Sequence, residues 1–328
     1  MKAWIVTSGM PWRLQVRDVP SPSPMAHEAL ISVVAFSINR GEMELLSWLP
    51  EAWIPGLDVA GIVLEPAADG SGPPRGARVL GLVDQGSWAE RVAVPTSALA
   101  LIPAGVSLMQ AATLPAAGLC AMGTLRLAEC TKRSRVLVTG AAGGVGSFQV
   151  QMAARAGAHV VAVTARRDAN AWLHRLGATD VVSAIAKARG LFDMILESVG
   201  GVSLEEAVGK IAPGGTIVLS GNSSAERTSM SVFDFTGHEG ARLVTFMNYA
   251  SDEHTGERLQ RLAASVDRGE IVPQIGHVGS WDELDGALQA LRSRSVQGKA
   301  VLFIPFGDAS NGPRNTAATD GVQSIAKR

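Results

Sequence analysis

Three glycines, Gly140, Gly143 and Gly146, stand at even spacing after the apolar run at residues 135–139. Residues 144–156 follow as a helical stretch, with Val145, Phe148, Met152 and Ala156 on one face. Set against the pattern G-x-G-x-x-G, the first position is Ala141 and the other two are Gly143 and Gly146. Glycines so placed permit a tight turn, let the backbone approach a pyrophosphate, and let helix and strand pack closely. Free N–H groups at the helix start then face the phosphates. By itself such a run is also a plain structural turn. The strand before it, the amphipathic helix after it and a second strand at residues 158–164 argue for a dinucleotide site.

The end of that second strand carries the next chemistry. About twenty residues past the glycines, a ribose with a free 2′-hydroxyl is met by Asp or Glu. This chain reads Thr164-Ala-Arg166-Arg167-Asp168. Two guanidinium groups suit a 2′-phosphate by charge and by bidentate geometry, so the predicted cofactor is NADPH. The alternative is a pair of solvated arginines opening a helix, with Asp168 bound to one of them.

These residues need a scaffold. Residues 135–139, 158–164, 180–182, 192–197 and 215–220 read as near-continuous apolar strands, with helices at 144–156 and 169–176. Strand alternating with helix predicts a parallel, doubly wound sheet. The first third is different. Residues 1–7, 28–36, 60–64, 78–82 and 89–94 are short strands separated by Pro/Gly clusters, followed by helices at 107–117 and 118–128. After residue 250 come a helix at 257–268, a strand at 275–278, a helix at 281–293 and a strand at 299–304, which are assigned to the first domain. The expected division is a catalytic domain at 1–121 and 257–307, a nucleotide-binding domain at 122–256, and a mobile tail at 308–328 of little apolar content.

The 328 residues are enough for two cores, and the net charge of −1 gives no electrostatic case for nucleic acid or an anionic membrane. Two cysteines, Cys120 and Cys130, exclude a disulfide framework and a four-cysteine zinc site. No signal peptide is legible and no uncharged apolar run reaches the roughly 18 residues of a membrane span, so the expected compartment is the cytoplasm.

The chain resembles the medium-chain dehydrogenase/reductase superfamily, and within it the zinc-free quinone oxidoreductase-like branch. The likeness spans about residues 1–306. It is carried by Ser37-Ile-Asn39, Pro55-Gly56-Leu-Asp58-Val-Ala-Gly61, Gly86-Ser-Trp88-Ala89-Glu90, Ala111-Ala-Thr-Leu-Pro115-Ala-Ala-Gly118, Val136–Gly146, Leu176-Gly177-Ala178 and Gly298-Lys299. The resemblance implies an α/β fold: a GroES-like β-rich catalytic domain interrupted by a Rossmann domain, with the active site between them. It also implies a homo-oligomer, here expected to be a homodimer. Zinc-dependent relatives have a Cys near Asn39 and Gly-His-Glu near Gly56; this chain has Phe36-Ser-Ile-Asn39-Arg40 and Gly56-Leu57-Asp58, so no metal is expected.

Such a reductase moves a hydride to an activated C=C or a quinone, and stabilises the enolate charge that develops. Asn39 aligns with an asparagine beside the nicotinamide ribose and substrate, where it could donate to a substrate carbonyl. The alternative is a loop asparagine fixing its own backbone. Asp58 reads as holding a loop. Cys120 stands where relatives often carry threonine, as a packing group. Tyr249, the only tyrosine, is a candidate proton donor or a packing side chain. Cofactor contacts are expected from Asn39, Cys120, Gly143, Gly144, Val145, Gly146, Thr164, Arg166, Arg167, Ser220, Gly221, Asn222, Phe246, Met247 and Asn248. Many relatives have Asn-Tyr after the Leu-Gly-Ala segment; Val182-Ser183-Ala184 here leaves phosphate recognition to Arg166 and Arg167. Phe36, Met43, Leu46, Trp48 and Trp53 are either core or the wall of a cleft for an apolar small-molecule substrate. Two other functions fit the same residues: a cofactor-binding sensor or structural protein without turnover, and a cyclase or isomerase that keeps its cofactor unchanged.

Overall fold

The computed structural model describes residues 1–9, 11–248 and 254–305. Tyr249 and the expected tail at 308–328 lie outside these residues. Two sheets carry the site. One has six strands, all parallel, in the spatial order Asp180–Val182, His159–Val163, Arg135–Val138, Phe192–Glu197, Ile211–Leu219, Arg242–Thr245. In chain order that is 3-2-1-4-5-6, the doubly wound arrangement, whose ligand crevice opens where the order reverses, between Arg135–Val138 and Phe192–Glu197. Val136, Leu137, Val138, Ile195 and Leu196 are fully buried, as strands covered on both faces must be.

The second sheet has seven strands. The long strand Glu28–Ile38 is its centre, pairing antiparallel with Asp58–Glu65, Arg91–Pro95 and Lys299–Phe303. Lys299–Phe303 in turn pairs in parallel with Ile275–Ser280, so the last two strands of the chain close the sheet that the first third began. The helix Thr255–Asp267 packs on the same side of the molecule, against the short strand Leu99–Leu101. The two sheets meet through backbone: Gly298 N–H donates to the Ala142 carbonyl at 2.9 Å, just ahead of the Gly143 turn. The residue pairs 121/122 and 256/257, where the domains were expected to divide, lie within the helices Leu119–Leu127 and Thr255–Asp267.

Some expected elements change form. The helix expected over 107–117 stops as Leu108–Ala112 and continues as a π turn, Leu114–Gly118. Pro115 is the physical cause: it lacks an N–H, and its ring crowds the carbonyl one turn back. The break frees the Ala116 N–H for a side chain elsewhere. The helix expected over 281–293 begins as a 3-10 turn, Trp281–Glu283, before Leu284–Arg292. Among the described residues five strands and α-helices had no sequence expectation: the strands Leu14–Asp18, Leu99–Leu101 and Arg242–Thr245, and the helices Arg40–Leu45 and Val202–Val208. Arg242–Thr245 is an exposed edge strand of mixed Arg, Leu, Val and Thr, so it lacks the apolar run that marked its neighbours. No helix among the described residues is long and apolar enough to cross a membrane.

Candidate active site

The glycine turn is built as its spacing demands. Gly140 sits at φ +56, a conformation costly for any other residue. A Cβ at Gly146 would stand 2.5 Å from the Gly140 carbonyl oxygen, so strand and helix could not meet as closely with any side chain there. Gly143 is the N-cap of the helix Gly144–Arg155 and has no side chain to cover the helix start. Nothing but the Gly140 carbonyl oxygen lies close to the place its Cβ would take. This is a cradle open to a pyrophosphate, with twelve residues of helix dipole behind it. Val145 leans the other way, packing against the core of the seven-stranded domain.

Across the turn lies a polar knot that no local sequence pattern announced. Lys299 follows Gly298; its aliphatic stem runs past Gly144, where a Cβ would come within 2.6 Å of it. Its ammonium donates to Asn39 Oδ1, to the Ile38 carbonyl at 3.3 Å and to Asp58 Oδ2 at 3.3 Å. Asp58 also accepts from Ser37 Oγ, from Asn39 Nδ2 at 2.9 Å and from the Ala116 N–H at 2.6 Å. The last bond is the use of the π turn. Glu42, in the helix Arg40–Leu45, accepts from the Asn39 N–H at 2.6 Å, from Asn39 Nδ2 at 3.0 Å and from the Leu57 N–H at 2.9 Å. Ser37, Glu42, Asp58 and Lys299 are all buried. Burial and the neighbouring Asp58 push the Glu42 carboxyl up to about 8, against the pull of its bonds to Asn39 and the charge of Lys299.

Asn39 is therefore at the centre, but its chemistry is narrower than a free amide. Both N–H bonds are taken by carboxyl groups, and the oxygen already accepts one ammonium. One lone pair of that oxygen is left, so in this arrangement Asn39 meets a ligand as an acceptor and has no N–H to spare for a substrate carbonyl. Cys120 is buried, and burial pushes its thiol up to about 12 while a bond to Ser220 pulls the other way. It is a packing group and stays protonated. Asn248 donates to the Ala116 carbonyl at 2.8 Å, which ties the segment after Arg242–Thr245 to the turn that holds Asp58. Phe246 turns its ring into the glycine face of Leu119–Leu127 at Gly123, so only its backbone is left for a cofactor. Met247 is exposed.

At the other end of the crevice, Thr164 is buried and its Oγ1 accepts from the Arg166 N–H at 3.2 Å. Arg166 binds Asp168 through two bonds, 3.3 and 2.8 Å, and holds that carboxyl below its ordinary range. Its remaining nitrogen donates to the Arg294 carbonyl at 2.9 Å. Arg167 is exposed. Arg294 reaches over to the Ser223 carbonyl at 3.3 Å, beside Gly221 and Asn222, so it bridges the far sides of the crevice. Sequence reading had no means to find it, since 128 residues separate it from Arg166.

The aromatic stretch does not form a single wall. Phe36 stacks on Trp88 in the core, ring centres 6.0 Å apart, and Leu46 is buried with them. Met43 and Trp53 pack against that core from its edge. Trp48 is 85% exposed. The core alternative holds for Phe36 and Leu46, whose strand and helix face inward. The five residues therefore line no common cleft. Among the described residues no three His, Cys, Asp or Glu side chains gather as a metal site.

The family comparison now has a structure to stand on. Residues 144–265, which begin at the glycine turn, match the model of the zinc-binding dehydrogenase family. The 2-methylene-furan-3-one reductase of Solanum lycopersicum is 30% identical over 92% of this chain and 79% of its own length. The mitochondrial NAD(P)H oxidoreductase RTN4IP1 of Mus musculus is 30% identical over 76% of this chain and 70% of its own. Among solved structures, the Escherichia coli quinone oxidoreductase in complex with NADPH superposes with a TM-score of 0.83, covering 92% of this chain and 100% of that one at 22% identity. That likeness speaks for the fold; the sequence matches speak for kinship. On both, the chain is an oxidoreductase that belongs to the medium-chain dehydrogenase/reductase superfamily, in its quinone oxidoreductase-like branch.

Proposed function

We propose that the protein is a zinc-independent, NADPH-dependent reductase that transfers hydride to an activated C=C of an enone or enoyl ester, or to a quinone. The observation that carries this reading is the crevice itself. An open glycine cradle lies at one point of it, and a strand end bearing Arg166 and Arg167 in place of a carboxylate lies at another. When bound, a reduced nicotinamide would supply the hydride. The chain's part is to hold the pyrophosphate on the N–H groups of the glycine turn, the 2′-phosphate on Arg166 and Arg167, and a donor group of the cofactor or substrate on the free lone pair of Asn39. Arg166 would exchange its bond to exposed Asp168 for the phosphate, and water would meet the released carboxylate. Tyr249 is the proposed proton donor. Cys120 is not, since its thiol does not ionise near neutral pH.

Independence from zinc is supported by the chemistry around Asp58. Its oxygens are occupied by a lysine ammonium, a serine, an amide and a backbone N–H, a donor set that leaves no three ligands for a metal. The choice of acceptor is supported by the tomato relative, whose named substrate is an enone. Residues 1–121 and 257–307 are read as the catalytic domain and 122–256 as the nucleotide domain. A homodimer is supported by the outer edge of Arg242–Thr245 and by exposed Val232 and Phe233 just before it.

The test is a fluorescence titration of the purified protein with NADPH and NADH, followed by NADPH oxidation over a panel of quinones and α,β-unsaturated carbonyls. Tighter NADPH binding with turnover on one of these acceptors is expected. Equal affinity for the two dinucleotides would overturn the assignment of the arginines, and binding with no oxidation of any acceptor would overturn the reductase reading.

A further inference from the structure

The direction of the Asn39 amide is fixed by charge. Turned over, its oxygen would face two carboxyl groups and its NH2 an ammonium, so neighbours alone settle which atom is which. Asp58 cannot do this unaided. Its Oδ2 already serves Ser37, Lys299 and one Asn39 N–H, and its Oδ1 holds Ala116. The second Asn39 N–H and the Asn39 backbone N–H both go to Glu42, which is anchored from the opposite side by Leu57.

We propose that Glu42 is a positioning residue of the crevice, which with Asp58 and Lys299 locks the Asn39 amide so that only its oxygen is offered, selecting a ligand group that donates (a hydroxyl or a carboxamide N–H) over one that accepts. The lock itself rests only on this chain's residues; that the ligand is a nicotinamide dinucleotide rests on the function proposed above.

The lock has a pH signature. The groups facing Glu42 are Asp58 from one strand, Lys299 from another, the Asn39 side chain and backbone at its own helix start, and the Leu57 N–H. With Glu42 protonated, Lys299 and Asp58 balance. With it ionised, the buried knot carries one uncompensated negative charge beside Gly144. The folded carboxyl titrates near 8 and the unfolded one near 4.5. Its contribution to stability is therefore complete below pH 4.5 and is lost as pH rises to 8, the reverse of an ordinary paired carboxylate.

Two measurements on the full chain decide it. In the first, melting temperature is followed from pH 5 to 9 without ligand, for the wild type and Glu42→Gln. The wild type should lose stability towards pH 8 and the variant should be flatter; coincident profiles would overturn the proposal. In the second, NADPH is titrated at pH 7 and 9. Glu42→Ala should raise Kd about tenfold, the loss of a lock worth roughly one buried hydrogen bond. Glu42→Gln, whose carbonyl can still accept from Asn39, should stay within about threefold at pH 7. The wild type should bind more weakly at pH 9 and Glu42→Gln should not. A folded Glu42→Ala that binds as the wild type does, or equal losses in both variants, would overturn the lock. If Glu42→Ala does not fold, the pH response of Glu42→Gln decides. If the wild type binds neither dinucleotide, the proposed cofactor falls, and the melting profiles alone decide the lock.

Discussion

Two charged clusters face the same crevice and treat their charge in opposite ways. In the knot of Asn39, Glu42, Asp58 and Lys299 all but half-buried Asn39 are buried, and each side chain is met by at least two partners. The rim of Arg166, Arg167 and Arg294 is wet, and its one ion pair, with Asp168, is between a mostly buried guanidinium and an exposed carboxylate. In a dry pocket a missing partner leaves a charge with nothing to replace it, so the knot is rigid and intolerant. In water a missing partner is replaced by solvent, so the rim is loose and can exchange an internal anion for an external one. The knot fixes one direction of one amide; the rim is free to choose.

The largest test of that contrast is Lys299→Met. Removing the only cation of the knot leaves Asp58 buried beside Glu42, and the cost should be about 3–5 kcal/mol in a urea unfolding experiment. Adding Asp58→Asn should recover part of it, because the uncompensated charge then disappears. If Lys299→Met proves as stable as the wild type, the knot is hydrated and the contrast with the rim fails.

On the rim, Arg166→Ala with Arg167→Ala should cost about 1–2 kcal/mol, less than the knot variant and nearly all of it from Arg166, whose guanidinium is only 26% exposed and bonds Asp168 and the Arg294 carbonyl. The same pair should weaken NADPH by about ten- to a hundredfold and NADH little, since charge-assisted bonds to a phosphate contribute roughly 1.5–3 kcal/mol. Raising the salt should shrink the difference, because exposed charges are screened. Equal loss for both dinucleotides would show that the arginines support the fold of the crevice and do not read the phosphate.

What the sequence reveals follows the same division. The glycine turn and the arginines after Thr164 are each contiguous in the chain, so their spacing is legible, the turn opening the helix Gly144–Arg155 and the arginines following the strand His159–Val163. The parallel sheet was legible for its four inner strands, whose apolar runs are dictated by cover on both faces, and for the short edge strand Asp180–Val182 with its two valines; it was illegible for the other edge, Arg242–Thr245, whose side chains are mostly exposed. Ser37, Asn39, Asp58 and Lys299 all stand in segments that carry the resemblance, but the bonds that join them were not legible there, and Glu42 lay outside every such segment. Glu42 lies only three residues from Asn39, yet a Glu in a short helix looks like any solvated Glu until Leu57 and Asp58 are folded over it. Lys299 lies 260 residues from Asn39, and nothing local marks it as buried. The aromatic stretch stayed open between core and cleft for a related reason: only packing could say that Phe36 and Leu46 face the core while Trp48 faces water.

The smallest expected effect sharpens that last point. Trp48→Ser should change unfolding free energy by less than about 0.5 kcal/mol, since a side chain 85% exposed has little buried area to lose. Phe36→Ala, in the same stretch, should cost about 3–5 kcal/mol, because its fully buried ring stacks on Trp88 and its loss leaves a cavity in the core. The pair therefore separates fold from ligand. If Trp48→Ser also leaves the KM for every accepted substrate unchanged, the exposed indole has no part in recognition, and substrate selection belongs to the polar groups around Asn39. If it raises KM while stability holds, the indole is a recognition surface displayed outside the core, and the case for an apolar substrate returns on that single residue.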